Sequence, residues 1–246
     1  MIINSKTDIG LVRSSNQDAF FAAELEGGAA FAVVCDGMGG ANAGNIASET
    51  AVRLISEYVV HSFRLGMDSF EAEKLLKNAI TSANIEIYGM AQKDPELNGM
   101  GTTAVTALVE GDRAVIVHVG DSRAYIAGKE LAQLTRDHSV VQSLLESGKI
   151  TPEDAKSHPR KNVITRALGA EQEVISDGTE VTLKEGESLL LCTDGLSGFA
   201  EPSEILGAIN IEDKAAAVEE LVRIAKSNGG GDNITVVLLG LSERKG

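Results

Sequence analysis

Phe31-Ala-Val-Val-Cys-Asp36-Gly37 is an apolar run that ends abruptly on a carboxylate and a glycine. Its small and β-branched residues, bounded by turn formers, predict a strand over Ala30–Cys35 with the aspartate at its tip. The arrangement returns in Val115-Ile-Val-His-Val-Gly-Asp121-Ser122 and in Ser188-Leu-Leu-Leu-Cys-Thr-Asp194-Gly195. Its mirror image is Gly229-Gly-Gly-Asp232-Asn233, where the acid precedes a strand over Ile234–Leu239.

Outward from these runs, strands are also predicted over Thr102–Val109, Ala114–Val119, Ala124–Ile126 and Glu180–Leu183. Glu110-Gly111-Asp112 and Gly128-Lys129 read as hairpin turns, so much of the pairing is expected to be antiparallel. Three longer segments carry helical periodicity. Ile46–Phe63 places Ala47, Ala51, Leu54, Ile55, Tyr58 and Val59 on one stripe. Phe70–Gln92 follows a capping box of Asp68 with Glu71 and buries Leu75, Leu76, Ala79, Ile80, Ala83 and Ile87. Lys214–Ser227 starts after Asp213 and stops at Gly229–Gly231. Strands in series, broken by a long helical hairpin, predict an α+β layered domain rather than a βαβ repeat. No repeat, Ser/Pro-rich linker or low-complexity segment divides residues 1–246, which read as one domain.

Ser139–Asn162 stands apart from this pattern. A short amphipathic helix runs to Glu146, Gly148 ends it, and Thr151-Pro152-Glu153-Asp154 starts another. The polar, basic stretch Ser157–Asn162 follows. The segment reads either as an insert bordering a site or as an ordinary helical connection.

Composition narrows the function. With 43% apolar and 24% charged residues the chain is globular. Its longest apolar runs fall far short of the roughly 20 residues that a bilayer span needs. Met1–Thr7 reads MIINSKT, without a basic-then-apolar leader, so a cytoplasmic location is expected. Cys35 and Cys192 are too few for a disulfide framework or a thiolate zinc site. A net charge of −14 repels nucleic acid and anionic membranes, and neither is an expected partner. An aromatic content of 4% without tryptophan offers little for stacking on bases.

Each Asp-Gly step taken singly is an ordinary turn. Taken together they carry more, because paired strands bring their tips into one place. Four gathered carboxylates repel one another unless cations lie between them. All-oxygen ligation selects hard ions such as Mg²⁺ and Mn²⁺ over zinc. His61, His118, His138 and His158 show no paired ligand spacing. Gly37 leaves its carbonyl approachable by an ion. Paired divalent ions sharing a carboxylate activate water and clamp the oxygens of an in-line displacement at phosphorus. Two such ions neutralise four carboxylates, so the loaded site accepts a phosphate dianion. Arg13 in Gly10-Leu-Val-Arg13-Ser-Ser-Asn-Gln-Asp18 offers a planar fork for phosphoryl oxygens; the alternative is a surface ion pair.

At these residues the sequence resembles the metal-dependent (type 2C, PPM) Ser/Thr protein phosphatases, particularly their compact bacterial members. The resemblance runs from about Lys6 to Leu241 and rests on motifs in family order. They are Arg13-Ser-Ser-Asn-Gln-Asp18, Asp36-Gly-Met-Gly-Gly40, Gly101-Thr-Thr103 and Gly120-Asp-Ser-Arg123. Leu134-Thr-Arg-Asp-His-Ser139, Val163-Ile-Thr-Arg-Ala-Leu-Gly169, Cys192-Thr-Asp-Gly195 and Asp232-Asn-Ile-Thr-Val236 complete the set.

The resemblance implies a four-layer α-β-β-α sandwich, two antiparallel sheets flanked by helices, with a metal centre at one end. It implies Mn²⁺ or Mg²⁺ as cofactor, two ions with a third and weaker site. By the same resemblance Asp36 would bridge both ions and the Gly37 carbonyl would complete the second site. Asp194 and Asp232 would hold the first, and Asp121 with Asp194 the third. Asp18 would position the attacking water, Arg13 would hold substrate phosphate, and residues 139–162 would be the flap beside the cleft. Two positions depart from the pattern: Met38 stands where many eukaryotic relatives have a proton-donating His, and Asn45 stands where Glu is usual.

Of the other residues, His118 reads as a satisfied interior histidine and His138 as a hydrogen-bonded support at the flap entrance. Cys35 and Cys192 read as packing residues, and Arg160 and Lys161 as a solvated surface or a contact for acidic substrates. The expected activity is hydrolysis of phosphoserine and phosphothreonine in proteins by direct attack of water, since no Cys, Ser or His sits in a nucleophile setting. Expected partners are phosphorylated proteins, namely a bacterial Ser/Thr kinase and its substrates, and the chain is expected to be a monomer. The alternatives are a partner-switching phosphatase for a small anti-anti-sigma-type phosphoprotein, a catalytically silent phosphoprotein-binding module, and a small-molecule phosphohydrolase.

Overall fold

A computed structural model describes residues 1–40 and 43–241. Two strands absent from the predicted set open the chain, β1 (Ile2–Asp8) and β2 (Asp18–Glu24), ahead of β3 (Ala30–Met38). β1 is polar along most of its length and β2 is alanine-rich, and neither composition carries a β signal. The helical hairpin α1 (Ala43–Ser62) and α2 (Ser69–Lys93) follows. Then come β4 (Gly101–Thr102), β5 (Ala104–Glu110), β6 (Arg113–Val119), β7 (Arg123–Ala127) and β8 (Leu131–Gln133). The chain continues through α3 (Val140–Glu146), α4 (Pro152–Ser157), β9 (Asp177–Thr182) and β10 (Ser188–Cys192). It ends with α5 (Asp194–Ser197), α6 (Pro202–Ile209), α7 (Lys214–Ser227) and β11 (Ile234–Gly240).

The strands form two antiparallel sheets, one ordered β1-β11-β10-β7-β8 and the other β2-β3-β5-β6-β9, with β4 pairing β3. Both expected hairpins are present, β5 with β6 and β7 with β8. Three apolar clusters give the layers. Ile55, Leu76 and Ile80 of the helical hairpin pack on Val33, Val115 and Val117 of the second sheet. Val34, Ile116, Leu189, Leu191 and Val237 fill the space between the sheets. Ile205, Leu221 and Val222 of α6 and α7 cover Leu190, Val236 and Leu238 on the outside of the first. This is the expected four-layer sandwich, and no described helix is long and apolar enough to cross a membrane.

Several boundaries differ from the sequence expectations. The strand predicted over Thr102–Val109 is two strands, because Thr103 N donates to the Asp36 carbonyl at 2.9 Å while Thr102 N turns to Leu168 O at 3.0 Å. β9 starts at Asp177, before the expected Glu180, and α1 starts at Ala43, before Ile46. Of the predicted α1 stripe, Ala47, Ala51, Ile55 and Val59 are fully buried, whereas Leu54 and Tyr58 pack at its margin. The short helices α5 and α6 lack a predicted counterpart, being too brief to show periodicity.

α2 is entered through the capping box expected of Asp68 and Glu71: each side chain accepts a hydrogen bond from the other's backbone N–H, at 2.8 and 3.1 Å. Asp68→Ala leaves one of those donors unpaired and is expected to cost about 1 kcal/mol. In a domain of this size that lowers Tm by about 2–4 °C in a thermal melt, and an unchanged Tm would contradict the cap's contribution.

Candidate metal centre

The sandwich brings the predicted aspartates to one end. Asp36 sits near the end of β3 and Asp121 just past β6, in one sheet. Asp194 follows β10 and Asp232 precedes β11, in the other. Asp18, at the start of β2, lies directly opposite Asp36 across the β2–β3 ladder. Like charges face one another there, an arrangement that destabilises a sheet in isolation.

Their electrostatics confirm the convergence. Withdrawal from water holds the Asp36 carboxyl well above the usual carboxylate range, and the charges of Asp18, Asp194, Asp121 and Asp232 add to the push. Burial pushes Asp18 up to about 7 against hydrogen bonds from Thr235 and Thr193, with Asp194 and Asp232 adding. Asp121 is pushed up to about 7 by burial, with the charges of Asp194 and Asp137 adding. Asp194 is raised by burial and by Asp232, while a hydrogen bond with Asp36 and the cations Arg123 and Arg13 oppose the shift.

Arg13 reaches the same place. Its Nη2 donates to Asp232 Oδ2 at 2.7 Å, with half of the arginine side chain exposed. The charges of Asp36 and Asp194 also act on it. Of the two readings of this arginine the structure shows the ion pair, and the pair stands beside the carboxylate cluster.

The donor set fits hard divalent cations. Asp18 Oδ1 and Asp194 Oδ1 are buried without a hydrogen-bond partner among the described residues, as is Asn45 Oδ1. Buried carboxylate oxygens without donors call for a proton or a cation. Among the described residues no three His, Cys, Asp or Glu side chains are gathered tightly enough to hold an ion as they stand. Asp232 Oδ2 is bonded to Arg13 Nη2.

Backbone approach explains two of the glycines beside aspartates. A Cβ on Gly37 would lie 2.0 Å from Gly44 O and 2.7 Å from Gln17 O. A Cβ on Gly195 would lie 1.8 Å from Asn233 O. Close packing of the segments that carry Asp36, Asp194 and Asp232 therefore leaves no room for a side chain.

Several polar residues that hold the cluster lie in the quoted motifs but carry no expected role. Asn233 Oδ1 accepts from Gln17 N at 2.8 Å, while its Nδ2 donates to Ile9 O at 2.9 Å and Ser15 O at 3.0 Å. One side chain thereby ties the Arg13 loop to the Asp232 turn. Thr193 Oγ1 donates to Asp18 Oδ2 at 2.9 Å and accepts from Thr235 N at 3.0 Å. Thr103 Oγ1 accepts from Asp36 N at 2.9 Å and shares a hydrogen bond with Ser122 Oγ at 2.7 Å. Side-chain accounting could have flagged these residues, since a buried Asn or Thr beside a strand end needs partners; their identity lies in distant segments.

Residues 139–162 form α3 and α4, capped by Ser139 and Thr151. Beside them a cavity of about 470 Å³ opens between Gln142, Lys161 and Asn162 on one side and Asp121, Asp194 and Phe199 on the other. His138 Nδ1 accepts from Gly120 N at 3.1 Å, which places the ring proton on Nε2, donating to Asp177 Oδ2 at 3.0 Å. Its ring stacks on His118 at 4.7 Å, and His118 in turn bonds Arg136 O. Both histidines are buried and satisfied, as expected, and Cys35 and Cys192 are buried in the packing.

Known proteins place this geometry. The sequence profile described as Protein phosphatase 2C matches residues 12–234. The Serine/threonine phosphatase stp of Listeria innocua is 42% identical over 238 residues, spanning 95% of this chain and 93% of that protein. The S. agalactiae serine/threonine phosphatase structure superposes with a TM-score of 0.92 at 36% identity, covering 98% of this chain and 99% of that one. The catalytic domain of serine threonine protein phosphatase PstP, solved in complex with two manganese ions, gives a TM-score of 0.83 at 34% identity over 96% of each chain.

Carboxyl groups raised in the folded state favour folding while protonated, so their contribution is complete below the unfolded value of 3.8 and is lost as pH rises through about 7. In excess chelator, Tm is expected to fall between pH 4 and 8, and added Mn²⁺ is expected to reverse the fall at pH 8. A flat profile in chelator would show that the carboxylates do not repel. Gly37→Ala is expected to lower Tm and abolish the Mn²⁺-dependent gain, read in the same melts.

Proposed function

This chain belongs to the protein phosphatase 2C family and is a metal-dependent Ser/Thr protein phosphatase, and on that premise we propose how its residues carry the reaction. Asp36, the Gly37 carbonyl, Asp194 and Asp232 would hold the paired ions, and Asp121 with Asp194 would hold a weaker third. Mn²⁺ or Mg²⁺ bound there supplies Lewis acidity, polarising phosphoryl oxygens and lowering the pKa of water.

The remaining roles belong to the chain's own groups. Asp18, its Oδ2 fixed by Thr193, keeps Oδ1 free to accept a hydrogen bond from the attacking water. Arg13 exchanges Asp232 for two phosphoryl oxygens and holds phosphorus in line with the attacking water. The leaving serine or threonine oxygen takes its proton from water, because Met38 cannot donate one. Among the described residues no side chain is set as a nucleophile, and phosphate leaves without a phosphoenzyme.

The observation that carries this reading is the convergence of Asp18, Asp36, Asp121, Asp194 and Asp232, the first four raised by burial and by the charge of at least one other aspartate of the five, with two of their oxygens unpartnered among the described residues. We read residues 1–246 as a single catalytic domain with the flap at about 139–162. Its substrates are phosphorylated proteins, those of a bacterial Ser/Thr kinase and the kinase itself, met in the cytoplasm by a monomer.

With Mn²⁺ the protein is expected to release phosphate from a phosphothreonine peptide, and excess chelator is expected to stop it. Asp194→Ala is expected to cut kcat/KM by more than about 100-fold, beyond the range typical of residues outside a ligand set, with an unchanged circular dichroism spectrum. Turnover that survives chelator, or a fully active Asp194→Ala protein, would remove the metal assignment.

A further inference from the structure

The loop that carries Arg13 also presents two consecutive large apolar residues to solvent, Leu11 at 62% and Val12 at 71% exposure. Leu11 is held in place from the backbone: its N–H donates to Gly230 O at 2.8 Å, and its side chain lies over Gly230, where a Cβ would come within 2.9 Å of Leu11 Cγ. Leu11 is also one wall of a second cavity, about 390 Å³, set between β1 and α7. Val222 is that cavity's second apolar lining residue, and Lys6, Asp8, Glu219, Arg223, Lys226 and Ser227 form its rim, with Arg223 paired to Glu220 at 2.6 Å. The rim charges are paired, Lys6 with Glu219 at 2.8 Å and Lys226 with Asp8 at 2.9 Å. On a chain of net charge −14 this is a locally balanced, partly apolar surface.

Leu11 and Arg13 are two positions apart in the chain, so their Cα atoms are at most about 7 Å apart. An arginine side chain spans a similar distance to the phosphate it holds. An extended polypeptide advances about 3.3 Å per residue. A substrate chain leaving the phosphate position along this side therefore reaches Leu11 within about four residues. Its backbone meets a rim able both to donate and to accept hydrogen bonds, and a side chain entering the cavity meets leucine and valine.

Resting on the phosphatase reading above, we propose that the cavity between β1 and α7 is a subsite for the substrate polypeptide. There Leu11 selects an apolar residue within about four positions of the phosphoserine or phosphothreonine. Leu11 and Arg13 lie on one loop, and the paired rim gives an acidic or basic residue no unmatched partner.

The test uses the full chain with Mn²⁺ and three substrates: an aryl phosphate, a phosphothreonine peptide with leucines flanking the phosphoresidue, and the same peptide with serines in their place. The wild type is expected to favour the leucine peptide about tenfold in kcat/KM, the scale set by one apolar contact in a pocket. Leu11→Ser is expected to erase that preference by raising KM for the leucine peptide, with the aryl phosphate rate unchanged, and Leu11→Met is expected to keep it. Equal use of both peptides by the wild type overturns the proposal. So does a Leu11→Ser protein that loses activity equally on all three substrates, since Leu11 then only supports the Asp232 turn. Failure of the wild type to hydrolyse any of the three removes the phosphatase reading, and this proposal with it.

Discussion

The repulsion among Asp18, Asp36, Asp121, Asp194 and Asp232 is the constraint around which the rest of the molecule is arranged. Both sheets deliver these groups to one end of the sandwich, and β2 and β3 set two of them directly opposite each other. Such a cluster is tolerated because the layers behind it are dry and tightly packed, with Val33, Val34, Ile116, Leu189 and Leu191 fully buried. The apolar core supplies the free energy that lets one end of the fold remain electrostatically unfavourable until counter-charge arrives. Arg13, the cation bonded to Asp232, is the chain's own partial compensation.

Holding charges that repel one another requires a frame that does not yield. Here it is built from backbone contact and from short polar side chains. Gly37 and Gly195 allow main chains to touch where any Cβ would collide. Asn233, Thr193 and Thr103 satisfy backbone groups at strand ends, where regular sheet pairing stops. The carboxylates are thereby positioned by groups that are themselves hydrogen-bonded, the arrangement expected where chemistry depends on placement to a fraction of an ångström. A similar logic holds the flap entrance, where the stacked pair of His118 and His138 links Gly120, next to Asp121, with Asp177.

Much of this was legible from the order of residues. The strands that run into Asp36, Asp121 and Asp194 show their apolar runs and turn residues locally, and Asp232 shows the same in mirror image. Gly37 and Arg13 stood out by residue type beside these acids, the family motifs added a role for Asp18, and all three lie at the same end of the fold. β1 and β2 escaped notice because edge strands of mixed or alanine-rich composition lack the β-branched run that marks a buried strand. Thr193 and Asn233 escaped because a hydrogen bond to a residue over a hundred positions away leaves no periodic trace.

The amino-acid sequence alone determined what depends on neighbours within a few residues: the buried stripes of α1 and α2, the capping boxes of Asp68 and Thr151, the hairpin turns, and the acid at each strand tip. Tertiary structure alone decided which tips meet and in what register. It set Asp18 against Asp36, joined Arg13 to Asp232 across 219 positions, and tied Asn233 to the loop of residues 9–17. The physical reason is that strand alternation specifies which face a residue occupies but not the strand beside it. That partner is chosen only when the two sheets and their helices pack all of their apolar faces at once.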